Sequence, residues 1–333
     1  MRRFSSRYPP LTALPLILLA INPACSVEKQ APLRAMRYRG GSNEEALKWQ
    51  NKVRSELFEI LKLDDLVETK EPIPLDLKPL ASEGRDGYTY NEIEISSTPH
   101  RRITVIATVP NDATGPRPAV VCVHGHGGDR TSTYDKESPY KGFATVLAEK
   151  GVVTVSANVG QHEVYEPGER ILMGERLWDL MRCVDYLETL PEVDKRRIGC
   201  AGLSLGGEMA MWLGAMDTRI RATVSSGFLT VMDQMEENHC MCWKFDGLRE
   251  LVDFADIYSL IAPRALLCQN GMKEGETQFY VPIAKKAMEE IKPIYADLGA
   301  PEKVELLVHP GGHEIELPSL LSFFEKYLSL ARG

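Results

Sequence analysis

At 333 residues, 44% hydrophobic and 26% charged, the chain can bury a large core, which excludes a disordered or fibrous protein. A formal net charge of −8 with no apparent basic face argues against a nucleic-acid partner, whose phosphates would need neutralising. Its seven cysteines are scattered and form no disulfide framework, and a domain of this size needs none.

Arg2, Arg3 and Arg7 precede a short apolar run, LTALPLILLAI at 11–21, followed by Ala24-Cys25-Ser26. A basic start, an apolar stretch too short to span a bilayer, and then small residues predict an export signal over 1–25. The expected destination is the periplasm, the outer membrane or the exterior. Cys25 is a candidate lipid anchor, although Asn22-Pro23-Ala24 matches the usual Leu-x-x lead poorly. Residues 26–84 read as an N-terminal helix and linker. Ser42-Asn43-Glu44-Glu45 is a capping box, and Ala46, Trp49, Val53, Leu57, Ile60 and Leu61 then recur at helical spacing. A proline-rich connector at 71–80 leads into two alternating runs, 88–95 and 102–109, predicted as antiparallel strands.

From residue 119 the pattern alternates. Strands are predicted at 119–123, 152–157, 198–203, 222–224, 265–269 and 304–308. Helices are predicted at 142–150, 172–190, 208–216, 282–298 and 318–331. Such alternation implies an α/β domain over 85–333, a mostly parallel central sheet with helices on both faces. Residues 226–257 break the alternation after the sixth predicted strand, as a lid-like insertion or as packed surface structure. Cys122, Cys200 and Cys268 fall in predicted strands, where a thiol acts as a small apolar group, and Cys183 falls on a helix. Asp194 is expected to cap or to pair with Arg196 or Arg197.

The stretch RIGCAGLSLGGEMAM, 197–211, carries the chemistry. Gly202-Leu203-Ser204-Leu205-Gly206 fits G-x-S-x-G, a serine held on a strained strand-to-helix turn with its hydroxyl above the sheet. A serine hydroxyl needs a base, a carboxylate to orient that base, and N–H donors for the oxyanion. On parallel-sheet hydrolases these follow in the order serine, acid, histidine. Beyond the insertion only His309 and His313 remain. His309 ends a strand before Pro310 and is expected to pack, whereas His313 follows Gly311-Gly312 in a loop able to reach the sheet edge, and is the candidate base. The acid should follow strand 265–269. That loop, Asn270-Gly271-Met272-Lys273-Glu274-Gly275-Glu276, has no aspartate, so Glu274 is the candidate and Glu276 the reserve. Oxyanion donors are expected from the backbone of Leu205 and from the glycine-rich loop His124-Gly125-His126-Gly127-Gly128, with His126 as the second donor.

No cofactor or metal is called for at this level. The two histidines of the 124–128 loop lack a carboxylate–histidine set at ligand spacing. His239, Cys240 and Cys242 supply three soft ligands at i, i+1 and i+3, too few for a closed zinc site, and are assigned a structural or pocket-lining role.

The segment RCVDYLETLPEVDKRRIGCAGLSLGGEMAMWLGAMDTRI at 182–220 resembles the dienelactone hydrolase and acetyl xylan esterase branch of the α/β-hydrolases. So do VCVHGHGG at 121–128, IAPRALLCQNG at 261–271 and HPGGHE at 309–314. The stretches SGFL and NHCMCW are similar to those of a bacterial subgroup described as acetyl xylan esterases. The resemblance covers roughly 85–330 and implies the α/β-hydrolase fold, Ser204 as nucleophile, His313 as base, and Leu205 with His126 as oxyanion donors. Its members usually place an aspartate where this chain has Glu274. The implied activity is hydrolysis of small acyl esters or of acetylated polysaccharide. Two other readings are a prolyl-oligopeptidase-like peptidase and a non-catalytic binding protein on a hydrolase fold. The first would need a propeller that 26–85 cannot supply, and the second predicts a broken triad.

Overall fold

In the computed structural model, Ser42 starts the first helix by accepting the Glu45 N–H, while the Glu45 carboxylate takes the Ser42 N–H. The structure describes residues 33–69, 71–111, 115–166, 168–277 and 279–330. The predicted export segment and Cys25 therefore lie outside the described residues. Leu33–Gly333 is one compact unit.

Helix α1 (Asn43–Ile60) buries Ala46, Gln50, Val53 and Leu57, one stripe at helical spacing, and a short α2 (Asp64–Val67) follows. Three antiparallel strands come next: β1 (Lys78–Arg85), β2 (Tyr88–Thr98) and β3 (Arg101–Pro110). The alternating part then runs β4 (Arg117–Val123), α3 (Phe143–Glu149), β5 (Val153–Ala157), α4 (Leu172–Thr189), β6 (Val193–Leu203), α5 (Leu205–Met216) and β7 (Ile220–Ser226). The insertion contributes α6 (Met232–Met235), α7 (Leu248–Leu251) and α8 (Phe254–Ser259). The chain closes with β8 (Ala265–Gly271), α9 (Val281–Asp297), β9 (Val304–His309) and α10 (Leu317–Leu328).

All nine strands join one sheet in the order β1-β2-β3-β5-β4-β6-β7-β8-β9, parallel from β5 through β9. Alternate residues of β4 feed opposite cores, as a strand covered on both faces requires. Ala119, Val121 and Val123 pack with α1, α4, α5 and α9, whereas Val120 and Cys122 pack with α3 and α10. This is the two-sided α/β architecture that the alternation implies.

Strand β1 has no counterpart among the predicted strands. All but its last residue are exposed, so it carries no hydrophobic alternation to read. Counted with β1, the strand preceding the insertion is the seventh. The insertion is rooted in the larger core through Phe228, Trp243, Leu248 and Phe254, all buried, while Cys240 and Met241 are exposed at its tip. Strand β6 also starts earlier than its apolar stretch. Its polar first half is held by Asp194, which pairs with both Arg196 at 3.2 Å and Arg197 at 3.0 Å. No helix among the described residues is long and apolar enough to cross a membrane.

Candidate active site

The parallel strands deliver their loops to the C-terminal edge of the sheet, where ligands of open α/β sheets bind. Between β6 and α5 the chain turns through Ser204, which sits at φ 63° and ψ −126°, a conformation that L side chains rarely adopt. Its N–H donates to the Ser226 carbonyl at 2.9 Å, and its own carbonyl accepts the Glu208 N–H at 2.9 Å. The turn can be this tight because residue 206 is glycine: a Cβ there would lie 2.2 Å from the Val123 carbonyl oxygen. Leu205 is the first residue of α5, so its N–H has no acceptor within the helix and projects from the positive end of the helix dipole.

The loop after β4 runs beside the serine. Gly125 is so close that a Cβ on it would stand 3.0 Å from the Ser204 Cβ. Its N–H donates to the Tyr140 hydroxyl at 2.6 Å, and its carbonyl accepts the Gly128 N–H at 3.2 Å. His126 and Gly127 therefore form the apex of a tight turn facing the serine. His124 is buried: its Nδ1 lies 2.8 Å from the Gly125 carbonyl, and its Nε2 accepts the Val159 N–H at 3.0 Å. Burial pushes its pKa below the ordinary histidine value, so the ring is neutral and serves to shape the loop.

Loops after β8 and β9 bring the acid and the histidine together. Nδ1 of His313 is 2.9 Å from Oε2 of Glu274, and the other carboxylate oxygen accepts the Gly271 N–H at 3.0 Å. Glu274 is almost wholly buried while His313 is about one-third exposed, 1% against 34% for their side chains. The reserve acid, Glu276, is exposed, and its carbonyl takes a bond from the Gln234 amide. Phe279 stacks on the His313 ring at 5.4 Å and 14°. Gly227, at φ +56°, also approaches the ring closely: a Cβ there would stand 2.8 Å from Nδ1 and Cε1. The loop that carries His313 is tied to the loop after β4 by the Ile315 N–H to the Pro139 carbonyl, 2.9 Å, and by the Lys141–Glu314 ion pair, 2.7 Å.

Ser204, His313, Gly125, His126, Ser138 and Tyr140 line one cavity of about 350 Å³. A larger polar cleft of about 670 Å³ adjoins it, sharing Gly127 and Gly128 and lined further by Arg130, Asn158, Gln161 and Tyr165. His309 is buried and takes no part in this cavity, as expected of a strand end. Three neighbours of the site have no role assigned from the sequence: Tyr140, hydrogen-bonded to the glycine loop, and Phe279 and Gly227, which lie against the imidazole. Each acts through a contact between distant segments.

His126 does more than line the cavity. Its Nε2 lies 3.2 Å from Cys242 Sγ, and across from them His162 Nε2 lies 3.3 Å from Cys240 Sγ. The count of three soft ligands around residue 240 thus misses two histidines that only the fold supplies. It also includes one residue that points elsewhere: His239 bonds the Glu237 carbonyl and meets the Phe279 ring.

Comparison with known proteins bears on what this arrangement is. A family model described as "Glucuronyl esterase, fungi" matches residues 96–228. The curated relative "Putative hydrolase YtaP" of Bacillus subtilis is 24% identical over 285 residues, spanning 78% of this chain and 92% of its own. Among solved structures, the "putative acetyl xylan esterase" of Bacteroides fragilis superposes with a TM-score of 0.68 at 20% identity. It covers 84% of this chain and 79% of its own. A glucuronoyl esterase from Solibacter usitatus superposes with a TM-score of 0.66 at 16% identity, covering 90% and 98%. The chain has the α/β-hydrolase fold that these esterases share.

Proposed function

We propose that the protein is a serine-dependent carboxylic ester hydrolase acting on acylated carbohydrate, with Ser204 as nucleophile, His313 as base and Glu274 as the orienting acid. The observation that carries this reading is the imidazole held by a buried carboxylate in the cavity that Ser204 lines. Nδ1–H donating to Glu274 leaves the Nε2 lone pair to take the Ser204 proton as the hydroxyl attacks the ester carbonyl. The tetrahedral oxyanion then meets the Leu205 N–H and a backbone N–H from the turn at His126. The protonated imidazole returns its proton to the leaving alcohol, and water repeats the sequence on the acyl-enzyme. A glutamate serves here because its second oxygen is anchored on the Gly271 N–H, which fixes the longer side chain.

The adjoining polar cleft supports a sugar as the larger part of the substrate. It offers amide and guanidinium donors, and Tyr165, 63% exposed, as a face against which a pyranose can stack. Acetyl groups on a xylan-type polysaccharide fit the small cavity over Ser204. A second reading, hydrolysis of an ester formed by a uronic acid carboxyl, is favoured by the glucuronyl esterase model matching 96–228. A peptidase of the prolyl-oligopeptidase type has less support, since residues 33–77 hold two helices where a propeller would stand.

The deciding experiment sets p-nitrophenyl esters of increasing chain length beside acetylated xylan, a methyl uronate ester and a dipeptide amide. Acetyl release lost in Ser204→Ala is the expected result. Turnover of the amide alone, or undiminished activity in Ser204→Ala, overturns the assignment.

A further inference from the structure

Three loops meet beside the Ser204 cavity: the turn at His126, the segment after β5 at His162, and the tip of the insertion at Cys240–Cys242. At that meeting point four side-chain donors converge. One nitrogen of each imidazole and the two thiol sulfurs all lie within 4.8 Å of one another. The thiols are free, and three of the four residues are exposed, so burial does not force the convergence.

We propose that His126, His162, Cys240 and Cys242 form a tetrahedral binding site for one soft divalent metal ion, Zn²⁺ by its ligand chemistry.

The distances suit a tetrahedron. With Zn–N near 2.0–2.1 Å and Zn–S near 2.3 Å, its N···S edges are about 3.5 Å and its S···S edge about 3.8 Å. The two N···S contacts, 3.2 Å and 3.3 Å, already lie near that edge, and no remaining pair needs to contract by more than about 1.5 Å. Donor type selects the ion. Two imidazoles and two thiolates make the Cys₂His₂ set of structural zinc, whereas Ca²⁺ and Mg²⁺ require oxygen ligands. Two thiolates also cancel the charge of the ion. Behind Cys242, the buried guanidinium of Arg176 donates from Nη1 to the sulfur at 3.4 Å, the kind of outer hydrogen bond that metal-bound thiolates gain. A Cys240–Cys242 disulfide is the competing use of the thiols, and a bridge between residues two apart is geometrically poor.

Such a site has a consequence for the cavity. His126 would fasten the turn of the 125–128 loop to the insertion and to the loop after β5, closing one wall beside the serine. That consequence rests on the hydrolase reading, whereas the metal site does not.

The test uses the full chain, reduced and stripped with a chelator, then titrated with Co²⁺ and back-titrated with Zn²⁺. Expected are one equivalent of Co²⁺ per chain, the intense visible bands of tetrahedral Co²⁺, and a near-ultraviolet thiolate charge-transfer band. Zn²⁺ should abolish all of them. The double variant Cys240→Ser/Cys242→Ser should lose the charge-transfer band. The exposed-loop variant His162→Ala should bind Zn²⁺ more than about 100-fold more weakly while keeping the native circular dichroism spectrum. Ser204→Ala should bind Co²⁺ like the wild type. A reduced chain that shows no thiolate–Co²⁺ band, or equal binding in the double variant, overturns the proposal. So does a Cys240–Cys242 disulfide that persists in reductant. Absence of ester hydrolysis together with normal Co²⁺ spectra would count against the proposed activity and leave the metal site standing.

Discussion

Glu274 holds His313 with one carboxylate oxygen, at 2.9 Å, while its other oxygen is fixed by the backbone N–H of Gly271, at 3.0 Å. The carboxylate is therefore anchored at both ends, and the imidazole is oriented by the backbone of β8 through a single side chain. Glu274→Gln preserves shape but presents an amide that can favour the wrong ring tautomer. Turnover of an acetyl ester should fall by about 10³–10⁴-fold, with KM little changed. Glu276→Gln, on the exposed neighbour, should leave kcat/KM within about twofold. Steady-state kinetics on both variants checks the pair.

Ser204 makes no side-chain cap to α5 and occupies a strained backbone conformation. Replacing it with glycine removes the proposed nucleophile and relieves the strain together. Ser204→Gly should be inactive yet more stable by roughly 1 kcal/mol, the strain released less the added chain entropy. Urea unfolding of the two proteins gives the difference directly. A destabilised variant would mean that the turn is not strained.

At Gly227 the approach of the backbone to the His313 ring leaves no room for a methyl group. Gly227→Ala should displace the imidazole and lower kcat by about 100-fold. Its stability should fall by only about 1–2 kcal/mol, the cost of the left-handed backbone. Kinetics set beside thermal melts separates the two effects.

Glu208, one turn into α5, is buried, and burial pushes its carboxyl up to about 8. In the unfolded chain it titrates near 4.3, its ordinary value of about that size. Between these values the folded chain carries a proton that the unfolded chain has lost. Its contribution to stability is thus greatest at low pH, declines as pH rises through this window and levels off above it. From about pH 5.5 to about pH 7.5 the wild type should lose on the order of 2 kcal/mol relative to Glu208→Gln, read from denaturant midpoints at each pH.

The turn at Ser204 and the two residues that meet at 2.9 Å, His313 and Glu274, are legible in the sequence as candidates because each lies within a few residues of a strand end, where spacing and glycine content carry the message. The core strands are legible for a similar reason: β4, β7 and β8 are almost continuously apolar or small. What escapes is whatever depends on two distant segments meeting. Strand β1 is held by pairing with β2 and has no buried face of its own. The four soft ligands are joined across 116 residues in one contact and 78 in the other, so no local motif can announce them. His239 illustrates the reverse, a residue that looks like part of a ligand run and turns instead toward Phe279.

The ties between Ile315 and Pro139 and between Lys141 and Glu314 join the loop that carries His313 to the loop that carries the glycine turn. The proposed proton acceptor and oxyanion donors therefore share one frame, set when the chain folds. Little ordering is left for the substrate to induce at each encounter. Under the proposed activity, selection among esters would fall to shape: a sugar would have to present its acyl group already at the angle this frame imposes.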